Sequence, residues 1–274
     1  MNTQQTNPDG QTVTVAPPFI KKPFVSSILL WVRTDQPRQR GMDYWKGPHS
    51  KIINATPGLD EYRQIHLAES NPGLWPAIRG VETTIPVDRK IDGVAEVTFR
   101  SVFSPLFGQK QTKLAYKDEI NVFRRTLLYA GPPYSARWYT VDGAKTGSRA
   151  LIYLRKKEGV GTRSFRKFIS DEFVGAVAST GVLKELRTQV FMPWSEKLWD
   201  TPNVAHDNPE NQRFHASMIL GFTDTSALRA FFASDAVSKL SAKLPSFVSA
   251  IHAYEMPEAL TFVKNGNALS QYEK

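Results

Sequence analysis

Tyr44-Trp45-Lys46-Gly47-Pro48-His49-Ser50-Lys51 brings an aromatic pair, a Gly-Pro step and a histidine together in one short stretch. The rest of the chain reads as scaffold around it. A helix that starts near residue 39 cannot run unaltered past Gly47-Pro48, because proline has no N–H and its ring clashes with the carbonyl four residues back. The helix therefore kinks or restarts. On a restart Pro48 takes the first helical position and His49 falls in the first turn. The positive end of a helix dipole disfavours a charged imidazole there, and a neutral ring can accept a proton, which is what a general base must do. The same residues also suit a kinked helix whose histidine fills a gap in the core.

Working outward, residues 24–32 form a Val-, Ile-, Leu- and Trp-rich run that reads as a buried strand. After the helix, 59–68 alternates, with Tyr62, Gln64 and His66 on one face, and reads as a second strand. Residues 69–92 are loop-like, and Leu74, Trp75 and Ile78 mark them as a packed lid. A strand at 94–99, a helix at 113–125 and a strand at 126–129 complete a ferredoxin-like unit, a four-stranded antiparallel sheet with two helices on one face.

The order then repeats: strand 150–154, helix 163–178, strand 183–191, loop 192–212, strand 214–222, helical stretches 226–234 and 236–244, and strand 247–254. Trp45 falls on Phe168, Gly58 on Gly181, Ile28 on Leu151 and Leu128 on Ile251 at one constant offset. Both inserted loops set proline beside tryptophan, at Trp75-Pro76 and Pro193-Trp194. The expectation is an α+β fold of two tandem ferredoxin-like units, duplicated in one chain, whose sheets pack into an intramolecular α/β barrel. The divisions are a disordered tail at 1–19, a first half at 20–141, a turn at 142–147, a second half at 147–264 and a C-terminal tail at 265–274.

Composition narrows the function. The chain has 274 residues, 41% of them hydrophobic and 22% charged, which suits a soluble globular protein with a sizeable core. With no cysteine, disulfides, thiolate metal sites and a cysteine nucleophile are excluded, and a cytoplasmic location fits. No run reaches the roughly 18 apolar residues of a membrane span, and the polar N-terminus has no secretory pattern. The net charge of +9 is spread in short pairs and not gathered in a stripe, so nucleic acid is not the expected partner; it suits steering of an anionic substrate. Five histidines stand without ligand spacing, so no metal is expected.

The stretch Tyr44 to His49 resembles the EthD-like family of the dimeric α/β-barrel superfamily, whose members carry an aromatic pair and then a histidine with a neighbouring Gly-Pro at this place. The resemblance is concentrated in about 25 residues. It implies a barrel with a largely apolar central cavity and relatives that act on hydrophobic or aromatic compounds, such as polyketide intermediates, often with no cofactor. Duplicated barrels of the superfamily include haem enzymes with a single histidine ligand, but Ile91-Asp92-Gly93 lacks the earlier glycine of the dye-decolorising peroxidase signature.

The second half carries Ser170, Asp171 and Glu172 where the first has Gly47, Pro48 and His49, so any chemistry is expected to be asymmetric. The expected catalytic residues are His49 as base and Tyr44 as hydrogen-bond donor, with Trp45, Tyr62, His66, Trp75 and His252 binding substrate. The expected reaction is cofactor-independent proton abstraction from a hydrophobic or aromatic molecule by a cyclase, decarboxylase, isomerase or related lyase. The alternatives are a ligand-binding accessory protein and a cofactorless monooxygenase or haem enzyme. The internal pairing of sheets permits a monomer or a homodimer.

Overall fold

The computed structural model describes residues 16–142 and 145–274, together with a short ladder of β1 (Gln5–Thr6) on β2 (Thr12–Val13). The rest of the expected tail at 1–19 and the middle of the turn at 142–147 lie outside the described residues. Phe19 opens a strand, β3 (Phe19–Lys22).

In the first half, β4 (Phe24–Val32), β5 (Leu59–His66), β6 (Gly93–Phe99) and β7 (Phe123–Ala130) pair antiparallel in the order β5-β6-β4-β7. Between them run α1 (Arg38–Tyr44), a π-helical turn Trp45–His49, α2 (Ser50–Asn54), the short α3 (Ser104–Phe107) and α4 (Gln109–Glu119). β8 (Ala136–Tyr139) leads into the second half. That half repeats the plan with β9 (Ser148–Lys156), α5 (Thr162–Lys167), a π turn Phe168–Phe173, α6 (Val174–Ala178), β10 (Glu185–Val190), β11 (Ala216–Phe222), α7 (Thr225–Phe232), α8 (Asp235–Lys243) and β12 (Val248–Met256).

Each sheet is completed by the other half. β8, at the end of the first half, pairs with β10 of the second. β13 (Glu258–Lys264), at the end of the second half, pairs with β5 of the first. The opposite edges are covered in the same reciprocal way. Leu74 and Glu82 of the first insertion donate backbone hydrogen bonds to Ala253 and Ser249 of β12, while Thr126 on β7 donates to Ala205 of the second insertion. The result is two six-stranded antiparallel sheets, since β3 extends the second and β14 (Asn267–Glu273) the first. The expected C-terminal tail is this strand, paired with β13.

Alternation of side chains sets the layers. Leu29, Trp31, Leu127 and Tyr129 of the first sheet pack against Leu151, Tyr153, Ile219 and Tyr254 of the second. Ile28, Leu30, Tyr62 and Val97 point the other way, towards Trp45 and the helices. The sheets therefore lie face to face, but their hydrogen bonding stays within two separate sheets and does not close into one cylinder. The space between them holds aromatic side chains and a charged cluster in which Arg187 bonds both Glu61 and Glu96. It is not the apolar central cavity that the resemblance implies.

The expected break at Gly47-Pro48 is also corrected. The chain stays helical from Arg38 to Asn54, widened by a π turn at Trp45–His49. A π turn shifts the hydrogen-bond register by one residue, and so absorbs a proline that an α-helical interior would not. Ser50 Oγ donates to the carbonyls of Lys46 and Gly47. The second half has the same π turn without proline, so the widening belongs to the position and Pro48 exploits it. His49 is therefore not in a first helical turn, and no helix terminus acts on it.

Candidate active site

A cavity of about 440 Å³ lies between the outer face of the first sheet and its helices. Ile28, Leu30, Val97, Phe99 and Leu128 form its floor, and Trp45, His49 and Ile53 form one wall. Ala115, Tyr116 and Glu119 of α4 form another, and Leu198 and Trp199 of the second half's insertion close one side. A largely apolar concavity with a few polar groups is the usual form of a small-molecule site.

His49 is 3% exposed. Its Nδ1 lies 2.8 Å from Asp118 Oδ2. The His49 bond, and after it the hydroxyl of Tyr44, hold the Asp118 carboxyl below its ordinary range. An ionised carboxylate only accepts, so the proton of this contact sits on Nδ1, and the neutral form of the ring carries its lone pair on Nε2. Among the described residues Nε2 has no hydrogen-bond partner. Tyr44 Oη donates to Asp118 Oδ1 at 2.8 Å, which raises the phenol's own pKa. The edge of Phe123 packs on the imidazole at 5.5 Å. The arrangement is a buried histidine whose ring is oriented by a carboxylate, a geometry that general bases use.

Of the residues expected at the site, His49, Trp45 and Tyr62 line this cavity and Tyr44, His66, Trp75 and His252 do not. Tyr44 is half-buried behind His49 on Asp118. His66 stacks on the far side of Trp45 at 4.7 Å, and burial lowers its pKa to about 4. Its Nε2–H donates to Gln64 Oε1 at 3.1 Å, and Gln64 Nε2 in turn holds Tyr62 Oη and the Trp45 carbonyl. Gly93 makes room for the Trp45 ring, because a Cβ there would collide with it and with the Ile65 carbonyl. Trp75 packs on Phe173 and Phe232 of the second half and donates to Ser241 Oγ at 3.0 Å. His252 lies against Phe214 between the sheets, with Nε2 on Glu82 at 2.8 Å.

Two site residues escaped the sequence reading. Asp118 is separated from His49 by a strand, an insertion and a further strand, and only the sheet order brings α4 beside the π turn. Glu119, its neighbour, is buried at the cavity wall and accepts from Trp199 Nε1 at 2.9 Å and from Thr201 Oγ1 at 2.5 Å. Burial without a cation raises its carboxyl to about 7. In the second half Glu172, at the position of His49, is exposed and paired with Lys243 at 2.9 Å. The space that corresponds to the cavity there is occupied by Trp75, Leu74 and Ile78.

No family model matches the sequence, and no curated protein matches it. Solved structures match it by fold. A candidate monooxygenase from Lactobacillus acidophilus NCFM superposes with a TM-score of 0.52 at 10% identity, over 93% of this chain and 100% of that one. A candidate monooxygenase from Fusobacterium nucleatum gives 0.50 at 8%, over 93% and 99%. A mutant chlorite dismutase from Candidatus Nitrospira defluvii gives 0.44 at 8%, over 86% and 92%. The chain thus shares the α+β, ferredoxin-like architecture of these proteins. The expected cofactor-independent lyase or isomerase is corrected at this point, because the two proteins of shared fold carry the names of monooxygenases. Among the described residues no helix is long and apolar enough to cross a membrane.

Proposed function

We propose that the chain is a cofactor-independent monooxygenase of an apolar aromatic substrate bearing an acidic O–H or C–H group. The observation that carries this reading is His49, buried at the wall of an apolar cavity with Nδ1–H on Asp118 and, among the described residues, no partner for Nε2. Nε2 takes a proton from the substrate, and Asp118 stabilises the imidazolium that results. The electron-rich anion left behind is the reductant. It passes two electrons to dioxygen and, with the proton returned by His49, forms a hydroperoxide on the substrate carbon. Removal of that carbon's remaining hydrogen as a proton then drives two more electrons into the O–O bond, which breaks to leave a carbonyl on the substrate and release the second oxygen as water. Trp45 and Tyr62 are substrate-contacting walls. The two candidate monooxygenases of the same fold agree with this chemistry.

The same reading places the chain among EthD-like proteins with the unit duplicated, the halves being 20–141 and 147–264. Support comes from the Tyr44 to His49 motif, from the π turn at the same position in both halves and from their reciprocal edges.

A haem does not fit the residues present. His49 would supply a nitrogen ligand, but among the described lining residues Lys113 is the one cation to meet two propionates.

Oxygen uptake with anthrone-type and hydroxynaphthalene probes tests the proposal. Uptake coupled to product, falling about 10²–10⁴-fold in His49→Ala, is the expected result. Probes that bind without uptake would leave a carrier in its place, and a Soret band in the purified protein would replace the cofactor-free mechanism.

A further inference from the structure

Between the two halves, one layer below the surface, lies a cationic cluster that the cavity chemistry does not use. Arg89 ends the short helical turn Val87–Arg89 and is 0% exposed. Its Nε donates to Gln212 Oε1 at 3.0 Å and its Nη2 to Asn208 Oδ1 at 3.0 Å. Both acceptors are neutral amides. Nη1 has no acceptor, and among the described residues no carboxylate pairs with this guanidinium.

The fork is held in place from several sides. Tyr254 Oη donates to the Arg89 carbonyl at 2.9 Å. Asn208 Nδ2 donates to Tyr129 Oη at 2.8 Å, which turns its Oδ1 towards Arg89. Arg89 and Arg155 lie 5.9 Å and 6.0 Å from the ring of Phe214. Arg125 lies over Trp31 at 4.9 Å. The Nε–H groups of Arg125 and Arg155 and the Nε1–H of Trp31 are also buried without acceptors. Arg125 is paired with Asp207 at 2.9 Å and Arg155 with Glu82 at 3.3 Å through their other nitrogens, so Arg89 is the fixed, fully buried cation of the cluster that has no carboxylate among the described residues.

Such a cation is costly unless it is both hydrogen-bonded and neutralised. A water molecule would satisfy Nη1 but leave the charge. An oxyanion would do both, because guanidinium N–H groups match carboxylate and phosphate oxygens in geometry and sign. We propose that Arg89, flanked by Arg125 and Arg155, forms a binding site for a small oxyanion between the two insertions, at 86–90 and 204–213. The site is separate from the His49 cavity, and binding there ties the halves together.

Thermal unfolding of the full chain in acetate, in phosphate and in chloride, at one ionic strength, tests this. Acetate or phosphate should raise the midpoint saturably, by roughly 3–5 °C at tenfold saturation, and chloride should not. The acetate and phosphate arms tell a carboxylate site from an inorganic one. Arg89→Met should abolish the response. If that variant does not fold, Arg89→Lys, which keeps the charge but loses the planar fork, should weaken the apparent affinity at least tenfold. No response in the wild type beyond the chloride control would overturn the proposal, and so would a response of equal size in Arg89→Lys.

Discussion

Asp118→Asn reverses one hydrogen bond and leaves the shape of the site alone. Tyr44 Oη and Asn121 Nδ2 both donate to Oδ1 of residue 118, so an asparagine there keeps its carbonyl towards them and turns its amide nitrogen to His49. That nitrogen can only donate, so Nδ1 must accept. The ring proton then moves to Nε2, and the cavity faces a donor where the wild type presents a lone pair. General-base catalysis typically contributes about 10²–10⁴-fold, so turnover should fall by that range, or about 3–5 kcal/mol of transition-state stabilisation. KM should hold within about threefold, since no wall of the cavity changes. Oxygen uptake under single-turnover conditions gives the rate. Turnover within about threefold of wild type would refute the role assigned to Asp118. Adding Tyr44→Phe frees the amide to turn and should return part of the lost rate, an effect that a general loss of packing would not produce.

Glu119 predicts a pH dependence of stability. Burial raises its folded pKa to about 7 from an ordinary value of 4.5, so the folded state holds the proton more tightly than the unfolded one. Its contribution is complete below about pH 4.5 and lost as the pH rises through 7, a change on the order of 3 kcal/mol; Glu119→Gln should flatten the midpoint between pH 5 and 8, and an unchanged slope would disprove the assignment. Trp75→Ala should cost about 3–5 kcal/mol in urea unfolding while leaving KM unchanged, because its ring packs the second half. Trp199→Ala should instead raise KM, since its ring borders the cavity, and equal effects of the two substitutions on KM would contradict the asymmetry. Arg187→Met leaves Glu61, Glu96 and Glu185 without their shared cation and should destabilise the fold by about 3–5 kcal/mol, measured as a shift in urea midpoint.

The order of strands and helices was legible because each is signalled locally. The run at 24–32 and the alternation at 59–66 carry their own periodicity, and the same order of elements recurs after residue 147. The edge strands were not. Residues 136–139 and 258–264 are short and weakly patterned, and become strands because an exposed edge of the other half awaits them. His49 stands out in the sequence through its motif, but the carboxylate that holds its ring does not. A helix terminus is a local inference, whereas Asp118 reaches His49 only through the order β5-β6-β4-β7. Trp75 illustrates the same limit. Its burial followed from its size and setting, but the sequence could not say that it packs against the second half and not against the half to which it belongs.

The exchange of edges bears on how the protein is made. When the first half leaves the ribosome, the free side of β5 has no neighbour, β7 lacks the covering segment at 204–206, and the cavity beside His49 is open on the side that Trp199 will border. None of these is remedied until residues 192–264 have been synthesised, so the nascent chain carries two bare sheet edges and an apolar hollow through the later part of translation, a state prone to self-association. Native pairing waits on contacts between residues far apart in the chain, which makes for slow folding. Expressed apart, the two halves should be insoluble singly and recover a soluble complex together, each supplying the strand and the plug that the other lacks.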